Sequence, residues 1–215
     1  MALSVFGLVA VLVQPVSAQA IRGAAPAANL VLADAPATPL ALTKDDRVLG
    51  RTDAPITIVE YASMSCPHCA HFATTVLPEL KKKWIDTGKA KLVLRDFPLD
   101  KLALRAAMIQ RCVPPDRFYA FAETLFADQQ QWVMAEDADA ALARLAQLGG
   151  MSRSAFDACL KDGALENFIL QERLIAAKDL GVGATPTFFI NGSKFAGEPT
   201  VAEFDKVLTG LAAKS

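Results

Sequence analysis

Cys66-Pro67-His68-Cys69 stands between a β-branched run, Ile56-Thr57-Ile58-Val59-Glu60-Tyr61, and a segment whose apolar residues recur at helical spacing. A strand that feeds straight into a helix fixes the start of a layered α/β unit. It also puts both cysteines on the first turn of that helix. N–H groups there lack backbone partners and carry a partial positive charge, which favours a thiolate over a thiol. Pro67 suits an early helical position, where no N–H is needed.

The following elements extend the unit. Phe72, Val76, Leu77 and Leu80 continue the helix to about Trp84, with a kink or break expected at Pro78. Gly88 separates it from a second strand at 91–97. A β–α–β run implies a parallel pair joined by a right-handed crossover. A helical block comes next. Leu102 to Val113 stops at Pro114-Pro115, and Asp116 is placed to cap a helix carrying Phe118, Phe121, Leu125 and Phe126. Asp137 to Leu148 ends at Gly149-Gly150, Ser152 opens a short helix to Leu160, and Leu165 to Leu180 stops at Gly181. Strand character returns at Thr187-Phe188-Phe189-Ile190, and Asn191-Gly192 marks a hairpin turn toward a strand at 194–196. Glu198-Pro199-Thr200 opens a last helix through Leu211. The order predicts an α/β fold whose sheet domain is split by an all-helical insert at about 100–180. Trp84 and Trp132 read as core.

The first twenty residues carry no charge, and the apolar run Leu8 to Val13 is too short to span a bilayer. Val16-Ser17-Ala18 fits a cleavage site after Ala18, and Ala18-Gln19-Ala20 offers a second. No Lys or Arg precedes the run. Residues 1–18 are read as a cleaved signal peptide, with an uncleaved anchor or a cytosolic chain as alternatives. Residues 19–45, rich in Ala and Pro, read as a linker, and 46–215 as the ordered domain. A formal net charge of -1 argues against a nucleic-acid partner held by a basic field.

Export would place the cysteines where disulfides persist. Cys66, at the helix end, should project its sulfur toward solvent, and Cys69, one turn in, should be more buried. Cys66 is therefore read as the nucleophile and Cys69 as the resolving thiol. His68 can hold a positive charge or donate a hydrogen bond beside the Cys66 sulfur. Stabilising the thiolate stabilises the reduced protein and makes its disulfide a stronger oxidant. The other histidine, His71, either affects the thiolate or faces solvent. Glu60 is either a proton acceptor for Cys69 or a solvated charge at a strand end. A zinc site would need two more ligands, and Cys112 and Cys159 are isolated, so no metal is expected. Those two cysteines form either a disulfide across the helical block, worth roughly 4 kcal/mol on the chain-entropy account, or a pair of buried free thiols. Gly183 and Ala184 leave room for a tight turn before Thr185-Pro186, where local preference alone favours a trans bond.

Three segments together resemble the DsbA-like thiol–disulfide oxidoreductases of bacteria, in the thioredoxin superfamily. They are Glu60-Tyr61 to Cys66-Pro67-His68-Cys69, Arg95-Asp96-Phe97-Pro98-Leu99, and Thr185-Pro186-Thr187-Phe188-Phe189-Ile190-Asn191-Gly192. The resemblance covers about Asp46 to the C-terminus. It implies a thioredoxin fold interrupted by a helical domain, and a cis Pro186 against the active-site pair. It implies that the Thr185 backbone pairs with an extended substrate peptide, and that Glu60 is a buried acid. No cofactor is expected. The implied activity is donation of the active-site disulfide to reduced, unfolded exported proteins in the periplasm, with reoxidation by a quinone-linked inner-membrane thiol oxidase. Thr185 stands where the best-known oxidases carry valine, and threonine is more familiar in disulfide isomerases. A disulfide isomerase or reductase is thus an alternative, although isomerases usually carry a sizeable N-terminal dimerisation domain where this chain has an Ala/Pro-rich arm. A second cysteine pair in the insert occurs in only some members of the family. From another class, the chain could be a non-redox metal-binding or chaperone module.

Overall fold

The computed structural model describes residues 39–213; the expected signal peptide, 1–18, and most of the expected linker lie outside them. A five-stranded sheet in the order β1-β3-β2-β4-β5 forms the centre. Its strands are β1 (Val48–Leu49), β2 (Ile56–Ala62), β3 (Ala90–Asp96), β4 (Thr187–Ile190) and β5 (Ser193–Lys194). β2 and β3 run parallel from Ile56↔Ala90 to Ala62↔Asp96. The β1–β3, β2–β4 and β4–β5 pairs are antiparallel. The β-branched run in β2 is buried almost throughout, because helices cover both faces of this part of the sheet. β1 was not among the expected strands; two residues are too few for a period to be read.

α1 (Pro67–His71) follows β2 after a short loop. The helix then runs on through α2 (Leu77–Leu80) to Ile85, with its register loosened to i→i+5 over Phe72–Val76 and Lys81–Ile85. Pro78 therefore does not end it. The Leu77 N–H reaches back to the Phe72 carbonyl, and Pro78 falls in the first turn after this wide one.

Six α-helices lie between β3 and β4: α3 (Lys101–Cys112), α4 (Phe118–Ala127), α5 (Gln129–Val133), α6 (Ala138–Leu148), α7 (Arg153–Cys159) and α8 (Gly163–Asp179). This is the predicted all-helical insert. Asp100, Asp137, Ser152 and Asp162 accept N-cap hydrogen bonds at the starts of α3, α6, α7 and α8. Asp116 does not cap α4. It sits inside a 3-10 turn, Pro115–Arg117, that carries the chain directly into the helix, so no side-chain cap position is left. Asn191 and Gly192 both take positive φ, 46° and 83°, as a tight hairpin turn between β4 and β5 requires. α9 (Val201–Ala212), capped by Thr200, closes the domain.

The insert is continuous with the core of the sheet domain. Ala62, Met64, Cys69 and Leu94 pack in one apolar cluster with Phe118, Leu125, Trp132 and Leu142. Trp84 is also core, in a second cluster with Ile56, Phe72, Leu80, Phe188 and Phe204. Of the two readings for Cys112 and Cys159, the structure has the disulfide, which spans 47 positions and ties α3 to α7.

The end of the expected linker is fixed to the domain. Arg95 on β3 is 3% exposed. Its guanidinium donates to both Asp46 carboxylate oxygens (2.9 and 2.8 Å), to the Tyr61 hydroxyl (3.1 Å), and to the carbonyls of Pro39 (2.6 Å) and Ala41 (2.8 Å). A buried guanidinium brings five N–H groups that need acceptors, and the arm supplies two of them from its backbone. The ordered domain thus begins before Asp46. Removing the carboxylate leaves a buried cation unpaired. Asp46→Ala is expected to cost about 3–5 kcal/mol in urea unfolding at pH 7; a loss within about 0.5 kcal/mol, typical of surface positions, would contradict this role.

Candidate active site

Three segments meet at Cys66. The loop leaving β2 turns at Ser63, whose carbonyl accepts from the Cys66 N–H at 3.1 Å. Cys66 is the N-cap of α1, in extended backbone at φ -81° and ψ 120°, and its carbonyl accepts from the Ala70 N–H. The third segment is the turn before β4. β4 pairs with β2 at Tyr61↔Thr187, which carries the residues just before Thr187 to the start of α1. The Thr185–Pro186 bond is cis, as the resemblance implies and against the local preference for trans. The Cys66 thiol donates to the Thr185 carbonyl at 3.2 Å.

Cys66 and Cys69 are both free thiols, and both are buried. Cys66 is 6% exposed and Cys69 0%. Their order matches the expectation, but the Cys66 sulfur does not project into solvent; it points under the Thr185–Pro186 turn. The two thiols have opposite acidities. The Cys66 thiol is held down to about 5, first by a hydrogen bond with the Cys69 thiol, then by Thr185 and the backbone N–H groups of Cys69 and His68, against the opposing pull of burial. The Thr185 carbonyl suits the protonated sulfur. Its hydroxyl, buried and without a hydrogen-bond partner, is the group that can turn to a thiolate. The Cys69 thiol is pushed far above the ordinary range, by burial first, then by Cys66 and Glu60.

Glu60 ends near this pair, and the reading of a solvated charge does not hold. It is 3% exposed, and its Oε1 has no hydrogen-bond partner. Burial, with a smaller contribution from Cys66, raises its carboxyl to about 8. The side chain lines an apolar cavity of about 290 Å³ walled by Leu92, Leu94, Ala122 and Phe126, with Lys81 and Glu123 also on its wall. At neutral pH Glu60 is mostly protonated, so toward a departing Cys69 thiolate it is first a proton donor.

The His68 ring is exposed and makes no hydrogen bond to the Cys66 sulfur, because the second helical position faces the side chain outward; its backbone N–H is one of the smaller contributions that hold the Cys66 thiol down. His71 is exposed as well. Cys112 and Cys159, already bonded, belong to the insert and not to this site. Among the described residues no cluster of His, Cys, Asp and Glu forms a metal-binding set.

One residue of the site escaped sequence reading. Gln129, the first residue of α5, is 5% exposed, and its Nε2 donates to the carbonyls of Met64 (2.7 Å) and Cys66 (3.0 Å). A glutamine sixty-odd positions downstream carries no local signal of such a contact; only the packing of the insert brings it there.

A buried, asymmetric thiol pair at a helix start, facing a cis-proline turn on a mixed sheet, defines a thioredoxin fold with a helical insert. A family model described as Thioredoxin matches residues 42–209. A provisionally named protein-disulfide oxidoreductase of Rickettsia bellii is 36% identical over 153 residues, 70% of this chain and 59% of that protein. The chain thus spans under two thirds of the length of this relative. Among solved structures, alpha-DsbA1 of Wolbachia pipientis is 34% identical with a TM-score of 0.76, covering 81% of this chain and 94% of that one. A protein-disulfide isomerase from Novosphingobium aromaticivorans is 28% identical with a TM-score of 0.70, covering 80% of this chain and 99% of that one. The chain belongs to the thioredoxin family, among its DsbA-like members.

The Glu60 carboxyl gives a pH-dependent test. In the unfolded chain it loses its proton near 4.5, in the folded protein near 8. Between these values the folded state holds the extra proton, so stability falls as pH rises through the window. Glu60→Gln should gain on the parent from about pH 5 to pH 8.5, by roughly a few kcal/mol, in thermal unfolding of the reduced protein. A difference that stays flat with pH would contradict a buried, neutral Glu60.

Proposed function

We propose that the protein is a dithiol oxidase: a thiol–disulfide oxidoreductase that donates a Cys66–Cys69 disulfide to reduced, unfolded exported proteins. The observation that carries this reading is the placement of the pair: Cys66 caps α1 beneath the Thr185–Pro186 turn while Cys69 is fully buried, so the Cys66 thiol is held low and the Cys69 thiol is pushed up. A substrate thiolate attacks the Cys66 sulfur, and the Cys66–Cys69 bond breaks. The electron pair goes to Cys69, which takes a proton from Glu60. A second substrate thiolate then attacks the substrate sulfur of the mixed disulfide. Cys66 leaves as a thiolate that needs no proton at neutral pH. The substrate ends oxidised by two electrons and the protein reduced by two. Release of a stable thiolate makes disulfide donation favourable. The extended peptide would lie along the Thr185 backbone beside Pro186, as an added strand.

Repeated turnover then needs a partner that removes two electrons from the dithiol; a quinone-linked inner-membrane thiol oxidase fits this role. The apolar run Leu8 to Val13 and the cleavage-site pattern Val16-Ser17-Ala18 support export to the periplasm, where such substrates and partners meet. No described helix is long and apolar enough to cross a membrane.

Thr185 supports a second reading, an isomerase or reductase. Its buried hydroxyl beside the sulfur offers a hydrogen bond that valine cannot. Reduced ribonuclease A and scrambled ribonuclease A separate the readings. The oxidised protein should form disulfides in the reduced substrate stoichiometrically, reactivate the scrambled one poorly, and lose both activities as Cys66→Ala. Rapid reactivation of the scrambled enzyme with weak oxidation would favour the isomerase. Full activity of Cys66→Ala would favour a module that works without redox turnover.

A further inference from the structure

We propose that Gln129, supplied by the helical insert, is a positioning residue for the Cys66 thiolate. The inference rests on the oxidoreductase reading and extends it to a part of the fold that touches no substrate sulfur.

The geometry is specific. The two carbonyls that Gln129 binds lie on either side of Ser65, in the loop that leads from β2 into the active-site helix. Both N–H groups of one amide are thereby used. The Met64 carbonyl has no other hydrogen-bond partner among the described residues, and Met64 itself is 1% exposed. The Cys66 carbonyl also accepts from Ala70, and the Cys66 N–H is held by Ser63. The Cys66 backbone is thus fixed from three directions, and of these three only Gln129 comes from outside the loop and its helix. This restraint holds the extended N-cap conformation at Cys66. From that conformation the sulfur meets the N–H groups of His68 and Cys69 and the turn at Thr185.

The insert presents Gln129 rigidly. α4 ends at Asp128, and the chain turns there into α5. The buried Trp132 locks the turn, its indole N–H donating to the Leu125 carbonyl at 2.8 Å. The Asp128 carbonyl accepts from Gln131 at 2.9 Å. The helical insert therefore reaches into the redox centre through one amide.

The experiment reads the pH midpoint of Cys66 alkylation by iodoacetamide in the reduced full chain, which a general loss of stability does not move. Gln129→Met keeps the side-chain length and removes both donors. Gln129→Asn keeps the amide but is one methylene too short to serve both carbonyls. Each is expected to raise the midpoint by about one pH unit, roughly a tenfold fall in the thiolate-to-thiol ratio. Leu142→Ala, in the same apolar cluster but away from the loop, should lower the thermal midpoint and leave the alkylation midpoint in place. If Gln129→Met does not fold, the shift in Gln129→Asn decides. An unmoved midpoint in the Gln129 variants, or an equal shift in Leu142→Ala, would overturn the inference. A parent that alkylates at low pH yet oxidises no protein thiols would instead sink the oxidase reading and leave the positioning role intact.

Discussion

The site depends on two buried sulfurs, three residues apart, that meet different polar partners. Cys66 is the cap of a helix, where free N–H groups and a neighbouring thiol can all turn toward a negative charge. Cys69, the third residue of that helix, is fully buried in the apolar cluster shared by sheet and insert. The same short helix segment thus gives one thiol that ionises readily and one that does not. The other parts of the fold serve this asymmetry. Parallel pairing of β2 with β3 sets the point where the helix begins, and antiparallel pairing of β4 with β2 brings the Thr185–Pro186 turn over the first sulfur. The insert closes the apolar surroundings of the second.

Such a site carries costs that the surrounding structure must offset. A carboxyl buried beside a thiol, with an oxygen lacking any partner, destabilises the charged form and lowers stability as pH rises. The buried pair of Arg95 and Asp46 shows the opposite arrangement, with acceptors around the guanidinium supplied by a side chain, a hydroxyl and two backbone carbonyls. One group, Glu60, is left unsatisfied beside the thiol pair. The other is satisfied where only attachment of the N-terminal arm is at stake. The Cys112–Cys159 bond adds chain-entropy stabilisation to the insert.

Much of this was legible from residue order. The helix start at Pro67, the insert between β3 and β4, the cap at Ser152, and the Asn191-Gly192 turn follow from local chemistry, and the structure has each. What local chemistry does not hold is burial and distance. Cys66 read as exposed because a helix end usually is; the turn that covers it comes from more than a hundred positions away. His68 read as a hydrogen-bond donor through its ring, yet the ring is exposed and makes no bond to the sulfur, and the backbone N–H that contributes is a group every non-proline residue has. Asp116 read as a cap because residue type alone does not reveal a preceding 3-10 turn. Residues 39–45 read as linker from composition, while their attachment depends on backbone carbonyls meeting a buried arginine.

The function proposed here requires that the fold stabilise the Cys66 thiolate. Titrating the thiolate absorbance near 240 nm in the reduced protein, with Cys66→Ala as the blank, tests it directly. A single transition with a midpoint at about 5 is expected. A midpoint near that of free cysteine, about 8.5, would contradict it.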